Sequence, residues 1–344
     1  MARASHPILR SLGLVAAGLF FYRAARRRAR RLDLAGRVVI VTGGTRGLGL
    51  LVAEELGRRG ARVAICGRDP RALAEAEKRL EGQGIELLAR QADLGDRAQA
   101  EGFVERASLE WNRIDAVVNN AGVIHVEPVA SADVRSLEEA MHGNFWSAVH
   151  TTLAALPHLR ARGAGARVLN VVSIGGQVAV PHLLGYSASK FAFAGFSEGL
   201  AAELAREGIG VTTVYPGLMR TGSSENAEFA GDAERELAWF SAGGSMPLGT
   251  VNARRAARRI VRALVYGETV VHLGLPAAVL GLLHGIAPAT TVKLMALVDR
   301  LLPRPLSPPE RAKRGRQIPS TGRGSPLRRL GEAAAEANHE RPAV

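Results

Sequence analysis

The stretch VVIVTGGTRGLG, residues 38–49, joins a run of β-branched residues to a glycine-rich turn. Apolar residues then follow with helical spacing at Leu50, Leu51, Ala53 and Leu56. The pattern predicts a buried strand, a tight turn and a helix. A turn of this kind lets backbone N–H groups approach a pyrophosphate near the helix N-terminus. The stretch therefore predicts the start of a dinucleotide-binding unit.

Strand and helix patterns alternate along most of the chain with short connections, which favours a parallel sheet with helices on both faces. The predicted strands are 37–42, 61–66, 85–91, 114–119, 166–172, 209–214 and 269–273. The predicted helices are 47–59, 70–82, 96–112, 133–162, 185–207 and 253–266. The sequence therefore predicts an α/β fold: a Rossmann-like, doubly wound parallel sheet in a single domain.

Tyr186 and Lys190 lie four residues apart, so a helix would place both side chains on one face. A phenol has a pKa of about 10 and needs a nearby positive charge to exchange a proton at neutral pH. Ser173 lies thirteen residues before Tyr186, where the apolar run 168–172 ends. The three residues indicate acid–base chemistry on an oxygen atom. An exposed helix with a chance pair, and a serine that only ends a strand, are the structural alternatives.

These motifs together resemble the short-chain dehydrogenase/reductase family over residues 34–273. The resemblance rests on the glycine-rich turn, the pair Tyr186 and Lys190, and several single positions. Those positions are Asp93, residues 119–122, Asn144, Ser173, Pro216, Gly217 and Thr221.

The resemblance implies a catalytic role for Asn144, Ser173, Tyr186 and Lys190. Tyr186 would act as acid or base, Lys190 would activate it and bind ribose hydroxyls, Ser173 would polarise the carbonyl, and Asn144 would support a proton relay. The implied cofactor-binding residues are Gly43, Thr45, Arg46, Gly47, Leu48, Gly49, Arg68, Asp93, Asn120, Ala121, Gly122, Tyr186, Lys190, Pro216, Gly217 and Thr221. Asn144 and Asp93 could each instead be a local helix cap.

Charge around the turn favours NADP over NAD. Relatives that prefer NAD carry an acid at the end of the second strand, where this chain has Gly67 followed by Arg68. Arg46 adds a second cation, and arginine suits a 2′-phosphate. Either arginine could instead be a solvated surface charge.

The net charge of +13 is concentrated at the two ends of the chain. Residues 1–31 hold eight arginines and no acid, and residues 303–344 hold nine basic and four acidic residues. The remaining 28 basic and 28 acidic residues leave a neutral body, which argues against a nucleic-acid-binding groove. The single Cys66 excludes an intramolecular disulfide, and the histidine spacing predicts no metal site.

Residues 1–31 combine the apolar run 11–22 with an arginine-rich segment and predict a membrane anchor. Twelve helical residues reach about 18 Å, less than the ~30 Å hydrocarbon core, so residues 8–22 either span or only anchor. A cleaved signal peptide is the alternative. We expect a membrane-associated protein whose catalytic domain is cytoplasmic.

Three further segments complete the predicted organisation around the catalytic domain, residues 32–273. The insertion 222–250 is either a substrate lid or an ordinary helix pair packed on the core. Residues 274–302 form an apolar C-terminal extension of helical character, and the basic tail 303–344 is expected to be disordered.

The sequence as a whole predicts a membrane-associated, NADP-dependent oxidoreductase that acts on a ketone or secondary alcohol, with lipophilic compounds among the candidate substrates. A homo-oligomer is implied by the resemblance, through the helices after the fourth and fifth strands. The alternatives are a non-catalytic, dinucleotide-binding regulatory protein and a membrane scaffold.

Overall fold

The computed structural model describes residues 31–246, 249–304, 310–319 and 326–340. Its strands are β1 Val38–Thr42, β2 Arg62–Gly67, β3 Leu87–Gln91, β4 Ala116–Asn119, β5 His125–Val126, β6 Arg167–Val171, β7 Gly210–Pro216, β8 Met219–Arg220, β9 Glu228–Gly231, β10 Val251–Asn252, β11 Val270–Leu273 and β12 Glu310–Arg314. Its helices are α1 Gly47–Gly57, α2 Pro70–Glu81, α3 Arg97–Trp111, α4 Val134–Met141, α5 Ser147–Arg162, α6 Leu184–Leu204, α7 Ala233–Ser245, α8 Ala253–Tyr266, α9 Leu275–Ile286, α10 Pro288–Asp299 and α11 Pro326–Ala337.

A parallel sheet of seven strands, in the order β11-β7-β6-β4-β1-β2-β3, forms the centre of the fold. All five residues of β1 are buried, because helices cover both faces of the sheet. Helices α1, α2 and α8 pack on one face, and α3 and α5 pack on the other. The predicted Rossmann-like parallel sheet is confirmed. Successive strands are added on one side of β1 up to β3 and on its other side from β4 onward, and such sheets bind ligands at this switch point between β1 and β4.

The predicted helix 133–162 is interrupted. Helix α4 ends at Met141, residues His142–Trp146 form a π-helical turn, and α5 begins at Ser147. The wider turn carries Asn144, whose side chain is fully buried and bonds to the backbone of Val123. Helical periodicity does not reveal such an insertion, which is frequent at functional sites.

The insertion 222–250 contains β9 and α7. Phe229 on β9 is fully buried, and Trp239 and Phe240 on α7 pack beside it in a small core that also includes Leu183. The partly buried ring of Tyr186 touches the same core. The aromatic residues therefore pack internally, in a position that adjoins the residue predicted to be catalytic.

The expectation of disorder for 303–344 is corrected for the described residues 310–319 and 326–340. Strand β12 pairs antiparallel with β9, and Ile318 is buried in the small core around Phe229. Helix α11 packs against α7. The segment is ordered because β9 offers a strand edge and α7 offers a surface, neither of which is visible in the composition of the tail.

The predicted membrane anchor, residues 1–31, lies almost entirely outside the described residues. Within the described part of the chain, no helix combines the length and apolar character that crossing a bilayer requires. Helices α9 and α10 form the predicted apolar extension after the last strand of the main sheet.

Candidate active site

The glycine-rich turn after β1 is held against the turn after β4. The hydroxyl oxygen of Thr42 accepts hydrogen bonds from the backbone N–H groups of Asn120, at 2.8 Å, and Ala121, at 2.9 Å. Gly43 has φ of +62°, and a Cβ atom there would lie 2.9 Å from the Cα atom of Ala121. The close approach requires glycine at this position. The two turns predicted from the sequence therefore meet at the sheet's switch point.

A cavity of about 260 Å³ opens between these turns. Ten of the predicted cofactor-binding residues line it: Gly43, Thr45, Arg46, Gly47, Leu48, Arg68, Asp93, Asn120, Ala121 and Gly122. Six others do not line it: Gly49, Tyr186, Lys190, Pro216, Gly217 and Thr221. Gly49 supports the turn from behind, since a Cβ atom there would lie 2.9 Å from the carbonyl carbon of Gly43.

The two cations predicted to favour NADP both line this cavity. Arg46 is the residue that precedes α1 and lies 3.5 Å from the Glu340 carboxylate. Arg68 follows β2 and is about half exposed, and its guanidinium lies 3.9 Å from the carboxylate of Asp93. A side chain at position 67 would overlap Thr45, because an added Cβ atom would lie 2.6 Å from its methyl group. The two turns and the cations beside them fit the phosphates of a dinucleotide.

Ser173, Tyr186 and Lys190 lie together beyond this cavity, at the carboxyl end of β6. A Cβ atom on Gly175 would lie 3.1 Å from the ring of Tyr186 and 3.4 Å from the hydroxyl oxygen of Ser173. The Lys190 side chain is 4% exposed, and its Nζ atom lies 5.8 Å from the centre of the Tyr186 ring. Nζ donates a hydrogen bond to the carbonyl oxygen of Val171, at 3.3 Å.

Burial shifts the pKa values of Lys190 and Tyr186 in opposite directions. Burial lowers the pKa of Lys190 to about 8, so the ammonium form still predominates at neutral pH. Burial also raises the pKa of Tyr186, and a hydrogen bond with Ser173 opposes that change. A neutral phenol next to a buried cation can donate a proton to a developing oxyanion.

Asn144 connects the cofactor turn to the helix that carries Tyr186. Its side-chain amide donates to the carbonyl oxygen of Val123, at 3.0 Å, and to the hydroxyl oxygen of Ser189, at 2.9 Å. Ser189 in turn donates to the carbonyl oxygen of Tyr186, at 2.8 Å. Asn144 therefore has a structural connection to the first turns of α6, whichever chemical role it has.

Gly122 is the point where the two parts of the site meet. A Cβ atom there would lie 2.6 Å from the side-chain oxygen of Asn144 and 3.5 Å from the Nζ atom of Lys190. Gly122 also lines the cavity between the two turns. The absence of a side chain at this position leaves the cavity and the Tyr186–Lys190 pair adjacent to each other.

Three residues of this site were not predicted from the sequence. Thr42 joins the two turns, and its place at the end of β1 within the glycine motif was a usable signal. Ser189 lies between Tyr186 and Lys190 on the same helix, which was a second signal. Glu340 lines the cavity from the far end of the chain, and no local pattern indicates that position.

One group of possible metal ligands lies near the site, in the described part of the chain. His125, Glu139 and Glu228 bring ligand atoms within 4.8 Å of one another. The guanidinium of Arg314 already lies 3.5 Å from the Glu228 carboxylate. That cation compensates the charge of Glu228, and the absence of a metal site stays a prediction.

Comparison with known proteins identifies the class. A family model described as short chain dehydrogenase matches residues 37–230. The Mycobacterium tuberculosis protein SadH, which is named as an oxidoreductase, is 30% identical over 264 residues, covering 76% of this chain and 94% of that protein. The D-beta-hydroxybutyrate dehydrogenase of Cupriavidus necator is 34% identical over 188 residues, covering 55% of this chain and 72% of that enzyme.

The solved structures agree with this comparison. A variant of an actinorhodin polyketide ketoreductase, crystallised with NADPH, superimposes with a TM-score of 0.60 at 28% identity. The match covers 70% of this chain and 96% of that enzyme.

The doubly wound sheet, the glycine turn and the adjoining Ser–Tyr–Lys set define an oxidoreductase that uses a nicotinamide dinucleotide. The chain belongs to the short-chain dehydrogenase family. It is an enzyme of the class that acts on CH–OH groups, and the alternative of a non-catalytic binding protein or scaffold is set aside.

Proposed function

We propose that this protein is an NADP-dependent reductase or dehydrogenase that interconverts a ketone and a secondary alcohol, with a preference for lipophilic substrates. The observation that carries the proposal is the meeting at Gly122, where the cavity with two cations adjoins the Lys190 ammonium and the buried Asn144. The bound nicotinamide would supply or accept the hydride.

Each catalytic residue has a role that its surroundings support. Tyr186 gives a proton to the substrate oxygen during reduction and takes it back during oxidation. Lys190 stabilises the phenolate through its charge and binds the ribose hydroxyls. Ser173 donates a hydrogen bond to the reacting oxygen, and Asn144 holds the relay that returns a proton to Lys190.

The preference for NADP rests on Arg46 and Arg68. A charge-assisted hydrogen bond to a phosphate contributes roughly 1.5–3 kcal/mol, which corresponds to about a 10- to 100-fold difference in affinity. The remaining predicted cofactor residues, Pro216, Gly217 and Thr221, lie after β7 and would contact the nicotinamide end.

A preference for lipophilic substrates is supported by apolar side chains near the loop that follows Ser173. Helix α9 packs against residues Ile174–Gly176, and a Cβ atom on Gly217 would lie 3.1 Å from the methyl group of Ala277. Leu218 and Met246, on the insertion side, are exposed. The insertion 222–250 would close over a substrate held there.

Steady-state kinetics with NADPH and NADH, on a panel of ketones, sterols and acyl substrates, tests the proposal. We expect NADPH to be used with at least tenfold higher kcat/KM, and Arg68→Asp to remove that advantage. Arg71→Asp is the matched control, because Arg71 is exposed on α2 and does not line the cavity. A wild-type enzyme that prefers NADH would refute the cofactor assignment.

Membrane association through residues 1–31, a cytoplasmic catalytic domain and a homo-oligomer belong to the same proposal. They rest on the apolar run 11–22, the arginines that follow it and the family resemblance. Fractionation of a chain that lacks residues 1–31 tests the first, and a smaller membrane-bound fraction than that of the intact chain is expected. Sedimentation of the intact chain tests the oligomer.

A further inference from the structure

The last described residues of the chain, 338–340, pack against the glycine-rich turn. Helix α11 finishes at Ala337, and the next residues lie across the start of α1. The backbone N–H of Gly47 donates a hydrogen bond to the carbonyl oxygen of Asn338, at 2.7 Å. A free N–H group at this helix start is what a phosphate would otherwise bind.

Glu340 places a carboxylate at the same helix start. Its side chain is only 6% exposed, and a Cβ atom added to Gly47 would overlap the carboxylate. One carboxylate oxygen lies 3.5 Å from Nε of Arg46 and accepts a hydrogen bond from the amide of Asn226, at 2.7 Å. Burial raises the pKa of Glu340 to about 7, and Arg46 opposes that change.

Three contacts hold this segment in place. The Asn338 amide donates to the carbonyl oxygen of Thr221, at 3.0 Å. Arg79 donates to the carbonyl oxygen of Ala337, at 3.2 Å. Ala335 packs against Gly222, which has φ of +86°, and a Cβ atom added to Gly222 would overlap Ala335. The segment is thereby attached to α2 and to the loop after β8, in addition to its contacts at the start of α1.

The partners of Glu340 are those that an anionic cofactor needs. A dinucleotide bound at this turn brings its pyrophosphate to the start of α1 and a charge toward Arg46. Two anions cannot share one helix start and one arginine without repulsion in a partly desolvated site. Either Glu340 leaves when the cofactor binds, or the cofactor binds weakly.

We propose that residues 338–340 form an autoinhibitory strap whose Glu340 carboxylate occupies the anion-binding part of the cofactor site and must move before a nicotinamide dinucleotide binds. The inference rests on the proposed function, because it concerns the same cofactor site. The apparent affinity for the cofactor then equals the intrinsic affinity reduced by the fraction of molecules with the strap open.

Titration of the full-length protein with NADPH, followed by fluorescence, tests the strap. Glu340→Gln keeps the shape of the side chain but removes its charge, and we expect NADPH to bind about tenfold more tightly. Glu336→Gln is the matched control, because Glu336 is an exposed acid on α11. Its substitution removes the same charge from the same part of the chain. The control should bind NADPH as the wild type does.

Hydrogen exchange gives a second readout that does not depend on a variant. Saturating NADPH should accelerate amide exchange in residues 326–340 of the wild-type protein, because the strap is displaced. Exchange that slows in this segment would show that the strap closes over the cofactor, and the inference would be wrong.

The outcomes separate the two proposals. If the wild type and Glu340→Gln bind NADPH with equal affinity, or Glu340→Gln binds it more weakly, the strap is refuted while the proposed function stands. If neither protein binds NADPH or NADH, the proposed function fails and the strap fails with it.

A second, independent observation concerns the hairpin formed by α9 and α10. Of the twenty large apolar side chains that are exposed in the described residues, nine lie between positions 275 and 301. Four of them, Leu275, Val279, Leu282 and Ile286, recur with helical spacing on one exposed face of α9. Exposed apolar surface of this density marks an interaction site.

The charges of this hairpin identify the kind of partner. Residues 270–292 hold no charged side chain, and the exposed cations Lys293, Arg300 and Arg304 follow. The one acid in residues 270–304, Asp299, lies 3.6 Å from the ring of His182. A second copy of the hairpin would place its own cations near Lys293, Arg300 and Arg304, and like charges repel. Residues 1–31 would add eight arginines and are therefore also a poor electrostatic match. An apolar surface with an anionic rim has the complementary charge.

The hairpin adjoins the entrance to the active site. His182 lies four residues before Tyr186, and its other ring nitrogen is 2.8 Å from the carboxylate of Glu236 on α7. The His182 ring therefore joins the hairpin, the insertion helix α7 and the loop that leads to Tyr186. A surface docked on α9 and α10 would lie beside the route of a lipophilic substrate.

We infer that the exposed face of α9 and α10 docks on the surface of a lipid bilayer that contains anionic headgroups. The apolar side chains would enter the interfacial region, and the cations would lie at the headgroups. The inference concerns the described residues and needs neither bound cofactor nor a membrane-spanning segment.

A fluorophore attached to one introduced cysteine tests this docking in the full-length chain. Cys66 does not compete for the label, because it is buried and burial raises its pKa to about 12. Ile286→Cys places a polarity-sensitive label on the hairpin, where Ile286 is 74% exposed. Leu109→Cys is the matched control on α3, where Leu109 is 69% exposed.

Vesicles of phosphatidylcholine with phosphatidylglycerol should shift the emission at position 286 to the blue and leave position 109 unchanged. High salt should weaken the shift. An aqueous emission at 286 in the presence of vesicles would refute the docking. A blue-shifted emission in the absence of vesicles would also refute the docking, because another surface would then cover the hairpin. A shift that depends on protein concentration would identify that surface as a second copy of the chain, and a shift that does not would identify it as the chain's own N-terminal segment.

Discussion

Replacing Gly49 with alanine adds a methyl group inside the turn that forms the cofactor site. The new Cβ atom would lie 2.9 Å from the carbonyl carbon of Gly43 and closer still to its oxygen and to the amide of Asn120. Two of these neighbours are backbone atoms, so the overlap cannot be relieved by a side-chain rotation. Overpacking of this kind costs about 1–3 kcal/mol, and the upper part of the range applies here.

The same substitution gains up to about 1 kcal/mol, because alanine favours a helix over glycine and Gly49 lies in α1. The expected net loss in the free energy of unfolding is therefore about 2 kcal/mol. Urea denaturation measures it through the midpoint, provided that the slope m is unchanged. NADPH titration of the folded variant should show weakened binding, because the turn has to widen.

Gly102→Ala is the matched control for Gly49→Ala. Gly102 lies in α3, and no atom is within 4 Å of the position a Cβ would take. The control keeps the helical gain without the overlap, so it should stabilise the protein by about 0.5–1 kcal/mol. If Gly49→Ala raised the midpoint as Gly102→Ala does, the close approach of the two turns would be refuted.

Tyr186→Phe should lower kcat for carbonyl reduction by about 10²- to 10⁴-fold with little change in NADPH affinity, and a rate equal to wild type would contradict the assigned role. The reduction rate should fall as pH rises through about 8, since the ammonium form of Lys190 exists below its lowered pKa; Lys190→Met should lack that inflection. Asp115→Asn should lower the free energy of unfolding by about 3 kcal/mol, because the buried carboxylate accepts hydrogen bonds from Arg37 and Arg113. Burial acts to raise the pKa of Asp115, but the hydrogen bonds outweigh burial and the pKa is lowered. The stability that the ionised carboxylate contributes at neutral pH is therefore lost as pH falls through that lowered pKa. Asp115→Asn should make the free energy of unfolding less dependent on pH in the acid range.

The main sheet was predictable because its signals are local. Residues 38–49 specify strand, turn and helix within one unit, and β1 is buried along its whole length as the apolar run predicts. The residues Tyr186 and Lys190 share a face because a helix repeats every 3.6 residues. These features need no knowledge of distant parts of the chain.

The interruption of the helix 133–162 and the order in the tail were not predictable in this way. The π-helical turn forms because Asn144 satisfies backbone groups of Val123, which lies 21 residues earlier. Strand β12 forms because β9 offers it a partner edge. A composition rich in proline and arginine carries no information about such an edge.

The sequence by itself determined the class of fold, the glycine turn and the Ser–Tyr–Lys set, since each depends on residues that are near in sequence or on the common edge of parallel strands. Only the tertiary structure decided that Glu340 reaches Gly47, nearly three hundred residues away, and that the apolar face of α9 remains exposed. Both depend on how separate elements pack. An apolar stripe has the same pattern whether it faces a core or solvent, and a carboxylate finds a distant helix start only after the chain has folded.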